Sequence, residues 1–143
     1  MSDTSSQYDD ITVDKATGSN FRVLNTASDL VSYTDKVTQN RKNFSELARH
    51  TTAKYLRDAA NEICRCLSDA NYISDKTFTK LETRLELQEQ AIRACNYMLV
   101  LIERAQLDGH IDIRRRQYWG NKVTSLRRAI TSWHSSDKQR YHV

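Results

Sequence analysis

The fold is decided by residues 78–102, which read FTKLETRLELQEQAIRACNYMLVLI. Eight positions in this stretch are spaced alternately three and four residues apart, and Gln88 is the one polar residue among them. This spacing keeps one face of an α-helix turned toward a partner helix, whereas a strand would alternate every second residue. The stretch therefore predicts a long helix packed in a bundle. The eight positions are Phe78, Leu81, Leu85, Gln88, Ile92, Cys95, Leu99 and Ile102.

Two further apolar stripes and the composition extend this prediction to the whole chain. Similar spacing joins Thr52, Leu56, Ala59, Ile63 and Leu67 upstream, and Trp119, Val123, Leu126, Ile130 and Trp133 downstream. The 143 residues include no proline and only three glycines, so the usual turn residues of β architectures are scarce. We expect a single all-α domain, an up-down-up-down antiparallel four-helix bundle. Its predicted core includes Leu56, Ile63, Leu85, Ile92, Leu99, Val123, Leu126 and Ile130.

Capping residues set the predicted boundaries. Ser45 begins the second helix, Ser74 or Asp75 caps the third, and Asp112 caps the fourth. The third helix ends at Asp108-Gly109, since glycine readily adopts the left-handed conformation that closes many helices. The predicted helices cover about 27–40, 45 to 70 or 71, 75–107 and 112–134. The bundle then occupies residues 21–135, between a flexible N-terminal tail (1–20) and a polar C-terminal tail (136–143).

The sequence carries no recognisable catalytic or metal-binding pattern. It lacks a glycine-rich phosphate loop, a nucleophile elbow and paired inward carboxylates. Cys64 and Cys66 are separated by one residue, so on a helix they point about 200° apart and cannot share a tetrahedral metal. With Cys95 they are predicted to be reduced core thiols, and Glu89–Arg93 an ordinary i, i+4 surface pair. We expect no enzymatic activity, cofactor or metal.

Positive charge is concentrated at the C-terminal end of the chain. Residues 111–143 contain eight Lys/Arg against two Asp/Glu, whereas residues 1–40 contain three against six. Three arginines open the fourth helix, where the positive end of the helix dipole makes them unfavourable by about a few tenths of a kcal/mol each. The pattern favours a nucleic-acid-binding surface, with a merely solvated helix face as the alternative. The candidate residues are Arg114, Arg115, Arg116, Lys122, Arg127 and Arg128.

Two other groups of apolar residues bear on function. Trp119 and Trp133 are fourteen residues apart and so share a helical face, with Tyr118 beside the first. Burial in the core explains them more simply than a base-stacking platform does. The eight positions that begin at Phe78 form the seam of the third helix, that is, the face expected to contact its partner helices. A second apolar stripe flanks this seam, and the interior of one bundle is not expected to cover both. It predicts self-association and consists of Ala91, Ala94, Met98, Leu101 and Ala105.

Several short segments resemble a known bacterial family. They are Asp69-Ala70-Asn71-Tyr72, Leu107-Asp108-Gly109-His110-Ile111, Arg116-Gln117-Tyr118-Trp119 and Ile130-Thr131-Ser132-Trp133. Together with the helix lengths over residues 47–133, they are similar to the four-helix-bundle family that includes the accessory variability determinant (Avd) of diversity-generating retroelements and the proteins of ribosomal-RNA intervening sequences. The chain departs from the family at residues 41–44, where proline is common, and at Thr131-Ser132, where Gly-Gly is common.

The resemblance implies a non-enzymatic protein, commonly a ring-shaped homopentamer, that binds a reverse transcriptase and nucleic acid. We therefore expect a nucleic-acid-binding accessory protein that associates with a retroelement reverse transcriptase and its template RNA. The alternative is a structural or protein-interaction bundle without direct nucleic-acid contact. The longest strongly apolar run, residues 97–102, is too short to cross a bilayer, and no signal peptide is apparent, so a cytoplasmic protein is expected.

Overall fold

A computed structural model describes residues 15–73 and 77–140. Residues 1–14 of the predicted tail, the Ser74 or Asp75 cap, the side chain of Phe78 and residues 141–143 lie outside the described residues. Four long helices and one short helix make up the described chain, which contains no strand. The helices are α1 (Lys15–Gln39), α2 (Glu46–Arg49), α3 (Thr52–Tyr72), α4 (Phe78–Leu107) and α5 (Ile113–Arg140).

The four long helices close into a ring. Helix α3 packs against α1 and α4, and α5 packs against α4 and α1. Short connections join successive helices, which therefore run in alternating directions. The predicted all-α four-helix bundle is confirmed. None of the described helices is long and apolar enough to cross a membrane.

Local sequence signals explain the start of α5, the end of α4 and the start of α2. Asp112 Oδ1 accepts from the backbone N–H of Arg115 at 2.8 Å and so caps α5 as predicted. After α4, Gly109 adopts φ +84°, and His110 N–H donates to the carbonyl of Ala105 at 2.9 Å, which is a Schellman ending. Ser45 caps only the short α2, because the chain leaves helical geometry before Thr52.

Both outer helices are longer than predicted. Helix α1 begins at Lys15, so residues 15–20 are helical and do not belong to a tail. Its buried positions continue the three-four spacing toward the N-terminus through Leu30, Ala27 and Val23. Because Ala27 is small, this apolar stripe is difficult to recognise in the sequence. Helix α5 continues to Arg140, because Asp137 in its last turns is buried against α4. The predicted C-terminal tail is wrong over residues 136–140.

The buried face of α4 rotates along the helix. Six of the eight predicted core residues are buried, but Ile92 and Leu99 are only partly buried, while Ala91, Met98 and Ala105 are fully buried. A straight α-helix drifts by about 20° per heptad relative to a strict seven-residue repeat, so the seam moves to the edge of the interface and the flanking stripe moves into its centre. The stripe predicted to remain uncovered is largely inside the bundle, and it no longer argues for self-association.

A buried ionic network connects the end of α5 to α3 and α4. Asp137 accepts from Arg84 Nε at 2.7 Å and from Arg84 Nη2 at 3.2 Å, and Gln88 Nε2 donates to the same carboxylate at 2.8 Å. Arg84 Nη1 also donates to the carbonyl of Ile73 at 2.8 Å, and its guanidinium lies 5.2 Å from the ring centroid of Trp133. The one polar position of the seam, Gln88, is therefore a partner for a buried charge.

Candidate nucleic-acid interface

The net charge of the bundle is carried mainly by α5. Helix α5 contains eight Lys/Arg and a single acidic residue, Asp137, whose charge is already paired with Arg84. By contrast, α3 contains three basic and three acidic residues, and α4 contains four of each. The uneven charge predicted from the sequence is thus confined to one helix of the folded protein.

Four of the seven basic residues of α3 and α4 pair with acidic side chains, whereas those predicted as binding residues do not. Lys54 pairs with Asp58 at 2.8 Å, Arg65 with Glu62 at 2.9 Å, and Arg93 with Glu86 at 3.1 Å. Within the described ranges, none of the six α5 candidates forms an ion pair. Their charges are consequently available to an external anion.

The structure does not bring the six candidates onto one surface. Arg115 donates to the hydroxyl of Tyr33 on α1 at 3.0 Å, and Lys122 also lies over the Tyr33 ring. Arg127 donates to the side-chain carbonyl of Asn96 on α4 at 2.6 Å. Arg116 precedes Arg127 by about three helical turns and so shares that side, where its buried Nε has no partner among the described residues. Arg114 and Arg128 are exposed.

The α1 side of α5 combines three of these cations with two tyrosines. Lys122 Nζ lies 5.3 Å from the ring centroid of Tyr33 and 5.2 Å from that of Tyr118, within the range of a cation–π contact. The two rings meet edge to face with their centroids 5.3 Å apart. Arg114 and Arg115 lie beside the same rings. We call this group the tyrosine–cation cluster: Tyr33, Tyr118, Arg114, Arg115 and Lys122.

Two adjoining grooves meet at Tyr118. One, of about 450 Å³, is lined by Tyr33, Asp112, Arg114, Arg115 and Tyr118. The other, of about 360 Å³, contains Tyr118, Asn121 and Lys122 from α5 and Asp29 from α1. Together the two grooves contain two carboxylates, Asp112 and Asp29, and three cations. The carboxylate of Asp112 already accepts a hydrogen bond from the backbone N–H of Arg115. A strip of open, net positive surface therefore runs along the α1–α5 cleft.

The tryptophans support this surface from inside the bundle. Trp119 is 0% exposed and donates from Nε1 to the hydroxyl of Thr34 at 3.2 Å, while Trp133 is 5% exposed. The prediction that both tryptophans belong to the core is confirmed. Because Trp119 is fixed between α1 and α5, it also fixes the backbone that carries the neighbouring Tyr118, which is 56% exposed.

Sequence reasoning did not assign Tyr33 to the site. Tyr33 lies 82 residues from Arg115 along the chain and on a different helix. Which residues of α1 face α5 depends on how the two helices are rotated about their axes, and local spacing in one helix does not fix that rotation. A tyrosine at the edge of an apolar stripe is the available signal, since its ring packs while its hydroxyl reaches a polar partner.

The cysteines and histidines form no second site in residues 15–73 and 77–140. No group of three or more His, Cys, Asp or Glu side chains is placed there to hold a metal ion. Burial raises the pKa of the Cys95 thiol to about 12, and burial with a hydrogen bond to Glu62 raises the pKa of Cys66 to about 11. Both are therefore protonated near neutral pH and are poor nucleophiles.

Comparisons of the chain with protein-family models, curated proteins and solved structures find no match.

Proposed function

We propose that the protein is a non-catalytic nucleic-acid-binding protein that holds the phosphate backbone of RNA or DNA on α5. The observation that carries this proposal is the contrast between α5, with eight basic residues and one buried acid, and the neutral α3 and α4. Since stability alone gives no reason to leave the six candidate cations of one helix without an ion pair among the described residues, a polyanionic ligand accounts for them best.

The positions of the cations suit a backbone better than a single anion. Arg115 and Lys122 lie on the α1 side of the helix and are seven residues apart, which is about 10.5 Å along the axis. Arg127 and Arg128 extend the charge toward the other faces. Contacts of this kind read phosphates and carry little sequence information. We therefore expect binding that depends weakly on sequence.

The proposed protein partner is a retroelement reverse transcriptase, and the bundle would hold the template RNA of that enzyme. The bundle itself would be a cytoplasmic bacterial protein that forms a homopentamer. This part of the proposal rests on the resemblance to the Avd family. Co-purification of the chain with a reverse transcriptase encoded beside it supports the assignment, provided that the complex survives nuclease treatment. A complex that disappears with the RNA would show that the two proteins only share a ligand.

One observation favours the alternative of a protein-interaction bundle. Leu107 and Ile113, on either side of the α4–α5 turn, are 69% and 54% exposed, and Leu47 on α2 is 76% exposed. Exposed apolar side chains at one end of a bundle are typical of protein contacts. Under this alternative, substitutions of these apolar residues abolish partner binding, while substitutions of the basic residues of α5 leave it unchanged.

The test of nucleic-acid binding compares two charge-matched triple variants. The first carries Arg114→Gln, Arg115→Gln and Lys122→Gln; the second carries Lys54→Gln, Arg65→Gln and Arg93→Gln, whose cations are paired with carboxylates of α3 and α4. Each lost phosphate contact flattens the logarithmic salt dependence by about 0.7 to 0.9. We expect the first variant to flatten it by about 2 to 3 and to bind about a hundredfold more weakly at 0.1 M salt.

The charge-matched control isolates position from total charge. Because both variants lose three positive charges, a purely non-directional attraction would weaken them equally. Unchanged affinity in the second variant, with both proteins folded by circular dichroism, supports a binding surface on α5. Equal weakening, or no retention of RNA or DNA by the wild-type chain at low salt, would mean that α5 is only a solvated face.

A further inference from the structure

We infer that the tyrosine–cation cluster selects single-stranded over double-stranded nucleic acid, with one unpaired base stacked on Tyr118 and neighbouring phosphates on Arg115 and Lys122. The inference rests on the proposed function and adds a substrate class to it. Phosphate contacts alone do not distinguish the two forms, so the selectivity must come from the aromatic side chain.

Tyr118 is both accessible and held in place. Its side chain is 56% exposed, yet its ring contacts Tyr33 edge to face and lies under Lys122. The buried Trp119 next to it anchors the helix at this point. A ring fixed before binding loses little conformational entropy when a base stacks on it, so more of the stacking energy appears as affinity.

The grooves around Tyr118 are arranged to accommodate an extended single strand of nucleic acid. The grooves of about 450 Å³ and 360 Å³ both include Tyr118 in their walls and continue along the α1–α5 cleft. Arg115 precedes Tyr118 by three residues and lines the first groove, while Lys122 follows it by four and lines the second. A base on the ring would thus have a cation on each side for its flanking phosphates.

A duplex cannot use this arrangement fully. Its internal bases are covered by their neighbours, so only the phosphates remain for Arg115 and Lys122. Bases of a single strand can be splayed out and stacked on aromatic side chains, and this interaction tolerates any sequence because every base has a π-face. The cluster therefore combines single-strand selectivity with little sequence preference.

The opposite side of the bundle provides a matched comparison. Tyr97 and Tyr55 are 54% and 49% exposed, close to Tyr118, and both line a groove between α3 and α4. That groove also contains Asp58 and Glu62, and no cation is among its described lining residues. The cations nearest this groove, Lys54 and Arg65, are already paired with these two carboxylates, so the exposed tyrosines here are not expected to bind a polyanion.

The experiment measures the affinity of the full chain for one labelled oligonucleotide of about 16 nucleotides, single-stranded and as its duplex. Tyr118→Ala should weaken single-strand binding about 5- to 150-fold, the range expected for one stacked base. Duplex affinity and the salt dependence of both ligands should stay unchanged, because no phosphate contact is lost. Tyr118→Phe and the control Tyr97→Ala should bind as the wild type does.

A further substitution guards against a structural explanation. Tyr118→Leu keeps an apolar side chain in the cleft but removes the aromatic face, so it should reproduce the loss seen with alanine. Wild-type binding of both ligands with equal affinity, or equal loss for both in Tyr118→Leu, would overturn the single-strand inference while leaving the charge-based proposal standing. Failure of the wild type to bind either ligand would overturn both.

Discussion

The two ends of α5 hold charge in opposite ways. Near the C-terminal end Asp137 is 2% exposed and forms two hydrogen bonds with Arg84. In the first turn Arg114 is exposed and Arg115 is half-buried, and neither meets a carboxylate at ion-pair distance in the described part of the chain. A buried pair is retained because each partner satisfies the other, whereas unpaired cations at the positive end of a helix dipole slightly oppose folding. The buried Asp137–Arg84 pair therefore serves the fold, and the arginines of the first turn remain for a ligand.

The largest effect expected from this comparison is on stability. Asp137→Ala leaves the Arg84 guanidinium buried without its carboxylate, and breaking a buried pair in this way costs about 3 to 5 kcal/mol. We expect the free energy of unfolding, measured by urea denaturation, to fall by that amount. Nucleic-acid affinity, measured under conditions where the variant is folded, should remain close to that of the wild type.

A double substitution refines the interpretation of that loss. Replacing Arg84 and Asp137 together by Met and Leu removes both charges, and such replacements of buried pairs are often neutral or stabilising. The double variant should therefore be more stable than Asp137→Ala. If both lose equally, the network contributes through its hydrogen bonds to Gln88 and the Ile73 carbonyl, and the penalty of an unpaired charge is not the cause.

A second, smaller effect is expected from two neighbouring residues of α4 that differ in burial. Met98 is 0% exposed and Leu99 is half-buried, although the strict spacing of the seam favours Leu99. Met98→Ala should cost about 2 to 5 kcal/mol through lost contacts and a cavity. Leu99→Ala should cost less, about 1 to 2 kcal/mol, because Leu99 is only partly buried and full burial contributes about 1.5 to 3 kcal/mol. Denaturation showing the reverse order would contradict the rotation of the buried face.

The greater burial of Met98 than of Leu99 shows which features of the fold could be predicted from the sequence and which could not. The three-four spacing predicted the four long helices, and Gly109 and Asp112 predicted the α4–α5 turn correctly, but α1 and α5 extend beyond their predicted outer ends. Spacing read as strict heptads misplaced Ile92 and Leu99, since it assumed a supercoil that would keep the seam centred. Local rules also failed for ion pairs: Arg93 pairs with Glu86 at 3.1 Å, and Glu89 meets His134 at 2.9 Å instead of pairing with Arg93.

The site shows a similar division. All six basic candidates were visible in the sequence because charge is a property of composition and position along one helix. Helical geometry explains why these six side chains lie on different sides of α5. That the site lies on the side facing α1 depends on Tyr33, which is 82 residues from Arg115 along the chain. Gln88 was visible as an exception in the seam, while its partner Asp137 fell in a predicted tail and could not be matched to it from local spacing.

The smallest expected effect addresses the N-terminal end of α5 directly. Arg114 and Arg128 are both exposed arginines without an ion pair among the described residues, but only Arg114 lies in the first turn of the helix. Removing it should relieve the unfavourable interaction with the helix dipole, whereas removing Arg128 should not, since the effect fades beyond one turn. We expect Arg114→Gln to raise the free energy of unfolding by about 0.3 kcal/mol and Arg128→Gln to leave it unchanged. The gain should disappear in about 1 M salt, where charges are screened within about 3 Å. If Arg114→Gln is instead less stable at low salt, this arginine contributes to the fold, and the contrast between the two ends of α5 does not hold.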